Sequence, residues 1–120
     1  MLIIDSETNH IHLTRGNIAP FSISAKNDDG TKYQFQVGDI VTFSIYAKKN
    51  MSDRKLTKSV EVIEPTQNVL LTLTSEETKL DDIINKPNDY WYEVELNNEQ
   101  TIIGYDKDGA KILTLYPEGE

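Results

Sequence analysis

Apolar and polar residues alternate over most of this chain. Phe21, Ile23 and Ala25 are the apolar members of one such run, and the same pattern returns at 33–37 and 41–47. It continues at 60–62, at 69–73 and again at 90–96. A period of two puts one face of a β-strand in a core and the other in water, whereas a helix repeats every 3.6 residues. The alternation therefore predicts about nine short antiparallel strands, the number typical of a sandwich or a barrel.

Turn residues separate these runs. Asn27–Gly30 and the pair Gly38 and Asp39 lie between successive runs, and Asn97 and Asn98 precede the last ones. Glycine accepts a positive φ, and Asn and Asp bond readily to their own backbone, so these residues favour tight turns. No repeat, linker or low-complexity tract interrupts the chain, which predicts one domain over residues 1–120.

One segment lacks the alternation. Thr74 and Glu77 have the spacing of a helix capping box, and Leu80, Ile83 and Ile84 then recur at helical spacing. Pro87 restricts the residue before it and favours an end to any helix. We therefore expect one short helix over about 75–85, placed at an open end of the sandwich or between its sheets.

The charge of the chain is acidic and uneven. The net charge is −8. Residues 1–60 carry 8 basic and 6 acidic side chains, whereas residues 61–120 carry 4 basic and 14 acidic ones. Nucleic-acid affinity rests largely on Lys and Arg, so we expect no nucleic-acid partner. The asymmetry is either an orienting feature of the surface or simply a source of solubility.

The termini and apolar runs contain no targeting or membrane signal. Charged Asp5 follows Met1 too closely for a signal peptide, and no apolar run approaches the ~20 residues that span a bilayer. We therefore expect neither secretion nor a membrane partner.

The sequence offers little material for catalysis. It contains no cysteine and only two histidines, His10 and His12. These two share a strand face at a spacing that suits two metal ligands, so a metal-assisted hydrolase is one alternative. Ile11 and Leu13 take the apolar positions, however, which leaves both imidazoles on the wet face. We therefore expect no enzyme activity, no metal and no cofactor.

Two features point to binding instead. By alternation Trp91 shares a polar face with Glu93 and Glu95, and an aromatic ring on such a face is typical of a contact surface. The alternative is that the 75–85 segment or a loop covers this ring. Residues 48–58 hold five of the twelve cations, including Lys48, Lys49, Arg54 and Lys55. This basic stretch either docks on the acidic half of another copy, forming a homo-oligomer, or is an ordinary solvated hairpin.

A family resemblance joins several of these segments. It is carried by residues 11–16, by Asp29 and Gly30, and by residues 33–39, 85–93 and 102–106. The Thr14-Arg15-Gly16 segment followed by the Gly38-Asp39 turn is its most distinctive part. Over nearly its full length the chain resembles small all-β proteins encoded in tail and baseplate regions of phages and prophages of Gram-positive bacteria. More distantly, it is similar to the immunoglobulin-like N-terminal domain of the phage baseplate upper protein.

The resemblance implies an immunoglobulin-like antiparallel β-sandwich that acts as a virion structural protein. Its partners would be other tail or baseplate proteins, and it would assemble into the virion in the cytoplasm of the host bacterium. The alternative is a carbohydrate-binding module that contacts the host cell wall through Trp91. No catalytic residue follows from the resemblance.

Four residues are expected to serve the structure rather than binding. Gly16 permits a bend after the first strands, and Gly38 permits a tight turn. Arg15 is expected to pair with Asp39 across a sheet, a bond that orients the strands if it is buried.

Overall fold

Nine strands and one short 3-10 turn make up the described part of the fold. The computed structural model describes residues 2–4, 8–80, 85–104 and 109–118. The strands are β1 Leu2–Ile4, β2 Ile11–Thr14, β3 Ala19–Ile23, β4 Ile40–Tyr46, β5 Arg54–Glu61, β6 Val69–Leu73, β7 Asn88–Leu96, β8 Gln100–Ile103 and β9 Lys111–Tyr116. The 3-10 turn, Glu77–Lys79, lies between β6 and β7. Within these ranges no helix is long and apolar enough to cross a membrane.

The strands form two sheets of very different width. The large sheet has seven strands in the order β1-β2-β9-β7-β4-β5, with β8 also paired to β7. β4 pairs with one edge of β7. On the other edge, β8 pairs with residues 94–96 of β7 and β9 pairs with residues 88–92. In the described ranges the small sheet consists of β3 and β6. The order β9-β7-β4-β5 opposite β3-β6 corresponds to the G-F-C-C′ and B-E strands of an immunoglobulin-like sandwich.

The core lies between the two sheets. The ring of Phe21 on β3 stacks on that of Phe43 on β4, with centroids 5.1 Å apart, and Phe43 stacks in turn on Tyr92 of β7 at 5.4 Å. Along β7 the inward side chains are buried and the outward ones are half-buried from Tyr90 onward. The all-β sandwich expected from the alternation is therefore confirmed.

Two strand pairings differ from the expected pattern. β2 runs parallel to β9, so the sandwich is not wholly antiparallel. The alternating run at 32–37 forms no continuous strand: Lys32 bridges to Lys26, whereas Phe35 bridges to Thr66. Its backbone changes partner between these two bridges, which prevents a ladder even though Phe35 is buried in the core.

The expected helix at 75–85 is much shorter in the described part of this segment. Thr74 and Glu77 do form the capping box: the Thr74 amide donates to Glu77 Oε1 at 2.8 Å, and the Glu77 amide donates to Thr74 Oγ1 at 3.2 Å. The turn ends at once because Leu80 has φ 55°. The buried Thr78 hydroxyl donates to the Asn17 carbonyl at 2.8 Å, which ties the turn to the loop before β3. Residues 81–84 lie outside the described residues.

The expected pairing of Arg15 with Asp39 is wrong. Arg15 is buried, donates to the carboxylate of Glu118, and donates through Nε to the Lys79 carbonyl at 3.2 Å. The Asp39 carboxylate instead accepts hydrogen bonds within its own turn, immediately before β4 begins. Arg15 thus joins the end of β2 to the 3-10 turn and to the segment after β9, three regions far apart in sequence.

Both structural glycines have the conformation that the sequence predicts. Gly16 has φ 84° and Gly38 has φ 95°. A Cβ at Gly16 would also lie 3.3 Å from the carboxyl carbon of Glu118, the partner of Arg15. The bend at Gly16 therefore lets the ion pair approach the backbone closely.

Candidate binding face

The candidate site is the outer face of the large sheet, the side turned away from β3 and β6. Trp91, Glu93 and Glu95 of β7 point to this face because Tyr90, Tyr92 and Val94 fill the core. The outer face continues over Ser44 and Tyr46 of β4, which face Glu93 and Trp91 in the register. The pleat of β7 therefore brings the three predicted residues into one row.

Trp91 lies half-buried between two large neighbours. Its cross-strand partners are Tyr46 on β4 and Ile112 on β9. The described segment 74–80 lies on the opposite side of the sheet, since Glu77 binds Lys58, whose cross-strand partner is the core residue Phe43. The described part of that segment therefore does not cover the indole.

Three charged and aromatic side chains are joined on one flank of Trp91. Tyr46 donates from its hydroxyl to Glu93 Oε1 at 2.9 Å, and Arg54 donates from NH2 to the same hydroxyl at 3.2 Å. The guanidinium carbon of Arg54 also lies 5.4 Å from the centroid of the Tyr46 ring, a cation–π distance. This Arg54–Tyr46–Glu93 network holds one flank of the face in a fixed geometry.

A second polar network lies on the other flank. Thr114 Oγ1 donates to Asp89 Oδ1 at 2.7 Å and lies 2.7 Å from His10 Nε2. A hydroxyl has one proton, so a Thr114 that donates to Asp89 must accept from His10, which places a proton on Nε2. The His10 and His12 rings stack with centroids 4.2 Å apart, and His12 Nδ1 lies 2.9 Å from the Tyr116 hydroxyl.

A small cavity opens beside this second network. Its volume is about 270 Å³, and His10 and Ile112 are among its lining residues. In the described part of the chain no three His, Asp or Glu side chains gather closely enough to hold a metal ion. The two histidines are therefore held by Thr114 and Tyr116, in hydrogen bonds rather than in a ligand set.

The basic stretch lies apart from Trp91, except for Arg54. Lys48 and Lys49 are exposed in the connection between β4 and β5, and Lys55 forms an ion pair with Asp53 at 3.6 Å. Arg54 alone reaches the outer face, through Tyr46. The structure thus brings together Trp91, Glu93 and Arg54 among the predicted binding residues, and leaves Lys48 and Lys49 at one end of the sheet.

Sequence reasoning missed several residues of this face. Tyr46 carried a readable signal, because it alternates with the core residues Phe43 and Ile45 and so points outward. Asp89, Thr114 and Tyr116 carried none, since their meeting depends on the pairing of β7 and β2 with β9. A parallel pairing between distant strands leaves no local mark in the sequence.

No protein-family model, curated protein or solved structure matches the chain. Its function is therefore inferred from the geometry of its own surfaces.

Proposed function

We propose that this chain is a non-enzymatic structural component of a phage or prophage tail or baseplate, and that it binds neighbouring proteins through the outer face around Trp91. The supporting observation is the position of Trp91, a large ring left half-buried between Tyr46 and Ile112 with a hydrogen-bonded network on each side. The viral role in this proposal rests on the resemblance described above. The mode of binding rests on the residues of the outer face.

The composition of the face suits a protein partner. Trp and Arg are among the residues that most often dominate binding energy at interfaces, and the face offers half-buried Trp91 and exposed Arg54, with the buried Tyr46 between them. Tyr46 and Arg54 are already bonded to Glu93 and to one another, so little side-chain freedom remains to be lost on binding. A face ordered in this way is prepared for a partner before contact.

The charge of the face defines the partner further. Asp89, Glu93 and Glu95 surround Trp91 on the same strand, in the half of the chain that carries the acidic excess. A complementary surface would hold an apolar pocket for the indole and Lys or Arg around it. We therefore expect a basic partner surface and binding that weakens as salt is raised.

A Trp91→Ala variant tests this proposal. The chain is co-expressed with the products of its neighbouring genes, and any complex is identified by size-exclusion chromatography with light scattering. We expect Trp91→Ala to weaken that complex at least tenfold, since an interface tryptophan contributes about 2 kcal/mol or more. Affinity is measured by calorimetry at two salt concentrations.

The matched controls are Trp91→Phe, which keeps an aromatic ring, and Gln67→Ala, an exposed position in the connection between β5 and β6. We expect Trp91→Phe to bind with intermediate affinity and Gln67→Ala to bind as the original chain does. The proposal fails if no neighbouring product forms a complex, or if Trp91→Ala binds as tightly as the unchanged chain while its thermal unfolding is also unchanged.

Carbohydrate binding is a second candidate function, favoured by the small cavity beside His10. His10 lines that cavity and is held beside it by Thr114, and Trp91 is one strand away to stack on a sugar ring. Purified cell-wall polysaccharide from Gram-positive bacteria is the probe. Retention of the chain on that polysaccharide, lost with both Trp91→Ala and Thr114→Val, would favour this function over protein assembly.

A further inference from the structure

The outer edge of β3 in the small sheet has unused backbone groups. β3 pairs with β6 on one side only, and in the described part of the chain no strand pairs with its other side. Beyond β3, the Ala25 carbonyl accepts from the Tyr33 amide and the Asn27 amide donates to the Thr31 carbonyl, so these odd-numbered residues face the hairpin partner. Backbone groups alternate in direction along a strand, so Ser24 and Lys26 face the opposite side.

The position of Pro20 agrees with an open edge on the even-numbered side of β3. A proline lacks the amide that a ladder requires, and within sheets it is therefore confined to positions facing an open edge. Pro20 shares its parity with Ser22, Ser24 and Lys26, which places the open edge on one continuous side of residues 20–26. Neither Ser24 nor Lys26 makes a backbone hydrogen bond with any other residue that the structure describes. This row of unused amides and carbonyls is a template for one more strand.

A cleft of mixed polarity runs beside that edge. Its volume is about 730 Å³, and its lining includes Ser22, Ser24 and Lys26 of the open edge itself. Half-buried or exposed apolar side chains also line it, from the hairpin after β3 and from β1 and β8: Ala25, Tyr33, Ile4, Ile102 and Ile103. A backbone edge next to apolar side chains fits an extended chain with apolar residues at every second position, and does not fit a helix.

The floor of the cleft restricts the occupant to a lone strand. Ile4 and Ile103 belong to the large sheet, so that sheet continues beneath the space beside β3. A second copy that offered its own β3 would bring its own large sheet into the same layer, where β1 and β8 already lie. A single extended segment has no second layer and can enter.

We propose that the cleft accepts one extended segment of a partner protein, which pairs with residues 20–26 and directs alternate apolar side chains between β3 and β8. The small sheet then has three strands instead of two. This site lies on the core side of the large sheet, whereas Trp91 lies on the outer face, so the two sites are independent. The proposal goes beyond the assembly role, since it specifies a partner that contributes a flexible strand.

A labelled heptapeptide of alternating valine and threonine is the probe, with binding followed by fluorescence anisotropy. Ser24→Pro removes one amide from the open edge and leaves the β6 ladder intact, because Ser24 faces away from it. We expect Ser24→Pro to weaken peptide binding at least tenfold, and the matched variant Ser24→Ala to bind as the unchanged chain does. On peptide addition, the amides of Ser22, Ser24 and Lys26 should exchange more slowly.

A second arm does not depend on any variant folding. A heptapeptide of the same sequence with every backbone amide methylated has no donor for a ladder on either of its edges, and we expect it to bind at least tenfold more weakly to the unchanged chain. Equal binding of the two peptides would overturn the proposal. So would protection of the β5 amides in place of those at 22–26, or an absence of binding by the unmethylated peptide. Loss of Trp91-dependent complexes leaves these outcomes unaffected, so the two proposals can fail separately.

Discussion

Asp39 holds the turn between the 32–37 segment and β4 together. Its carboxylate accepts from the Tyr33 hydroxyl at 2.8 Å, from the Gln36 amide at 2.9 Å and from Asn97 Nδ2 at 3.1 Å. The Gln36 amide is the largest influence that lowers the pKa of Asp39 below its ordinary value of 3.8, with Asn97 and Tyr33 adding to it. One side chain thus connects the turn at Gly38 with the turn that follows β7.

Removing this carboxylate should destabilise the protein in a pH-dependent way. We expect Asp39→Ala to lower the free energy of unfolding at pH 7 by about 2 kcal/mol, the size usual for hydrogen bonds to a charged group. Because the pKa is lower in the folded state, the difference is full above about pH 4 and shrinks as the pH falls through the folded-state pKa. Urea unfolding at pH 7 and at pH 3 measures both values.

Asp28→Ala is the matched control for Asp39, because Asp28 is exposed in the tip of the hairpin after β3. We expect its unfolding free energy to stay within about 0.5 kcal/mol of the unchanged chain. A loss for Asp39→Ala that is equally large at both pH values would contradict the role of the ionised carboxylate.

At the residue scale the sequence predicted conformations better than partners. Gly16 and Gly38 have the positive φ expected of them, and Trp91 points to the polar face, because each of these follows from its immediate neighbours. The partner of Arg15 did not follow from its neighbours. Glu118 lies near the other end of the sequence, and only the parallel alignment of β2 with β9 brings it close.

At the scale of single elements, the 3-10 turn between the sheets depends on Glu77. Its carboxylate caps the Thr74 amide at 2.8 Å and binds Lys58 Nζ on β5 at 3.1 Å. The Thr74 amide is the largest influence that lowers the pKa of Glu77. One carboxylate therefore closes the turn and attaches it to the edge strand of the large sheet.

Glu77→Ala should loosen this attachment. We expect it to lower the free energy of unfolding by about 1 kcal/mol, the usual effect of losing a cap, with a further few tenths from the half-exposed pair with Lys58. Glu76→Ala is the control, since the Glu76 carboxylate is largely exposed and, among the residues that the structure describes, pairs with Lys79 of the same turn. Thermal unfolding compares the two, and equal shifts would show that the cap contributes nothing specific.

Alternation located most of the strands but could not order them. It fixed which side chains of β3, β4 and β7 enter the core, because burial of one face requires a period of two. The alternation gave no sign that β8 and β9 share one edge of β7, since that depends on where β8 ends and β9 begins. The helix expected at 75–85 had a correct capping box, yet tertiary contacts of Thr78 and the backbone of Leu80 ended it after one turn in the described part.

At the scale of the whole molecule, one core joins the two sheets. The same cluster of buried side chains includes Phe21 of β3, Phe43 of β4, Leu71 of β6 and Leu113 of β9. Most of the strands that form it are paired with strands distant in sequence. Neither sheet can therefore keep its apolar face covered without the other.

The chain should consequently unfold in one cooperative step and refold slowly. We expect urea transitions followed by far-UV circular dichroism and by the fluorescence of Trp91 to coincide, and refolding to take milliseconds to seconds as is usual for sandwiches with distant pairings. Stopped-flow fluorescence measures the rate. Two separated transitions would show instead that the β3-β6 sheet unfolds independently of the large one.

The position of β9 also has a consequence during protein synthesis. β9 lies between β2 and β7, so β2, although made early, lacks its inner neighbour until the end of the described chain has left the ribosome. The edge of β2 that pairs with β9 stays unpaired throughout that interval. A nascent chain of this protein therefore exposes an unpaired strand edge for most of its synthesis, and such an edge is prone to pair with other chains.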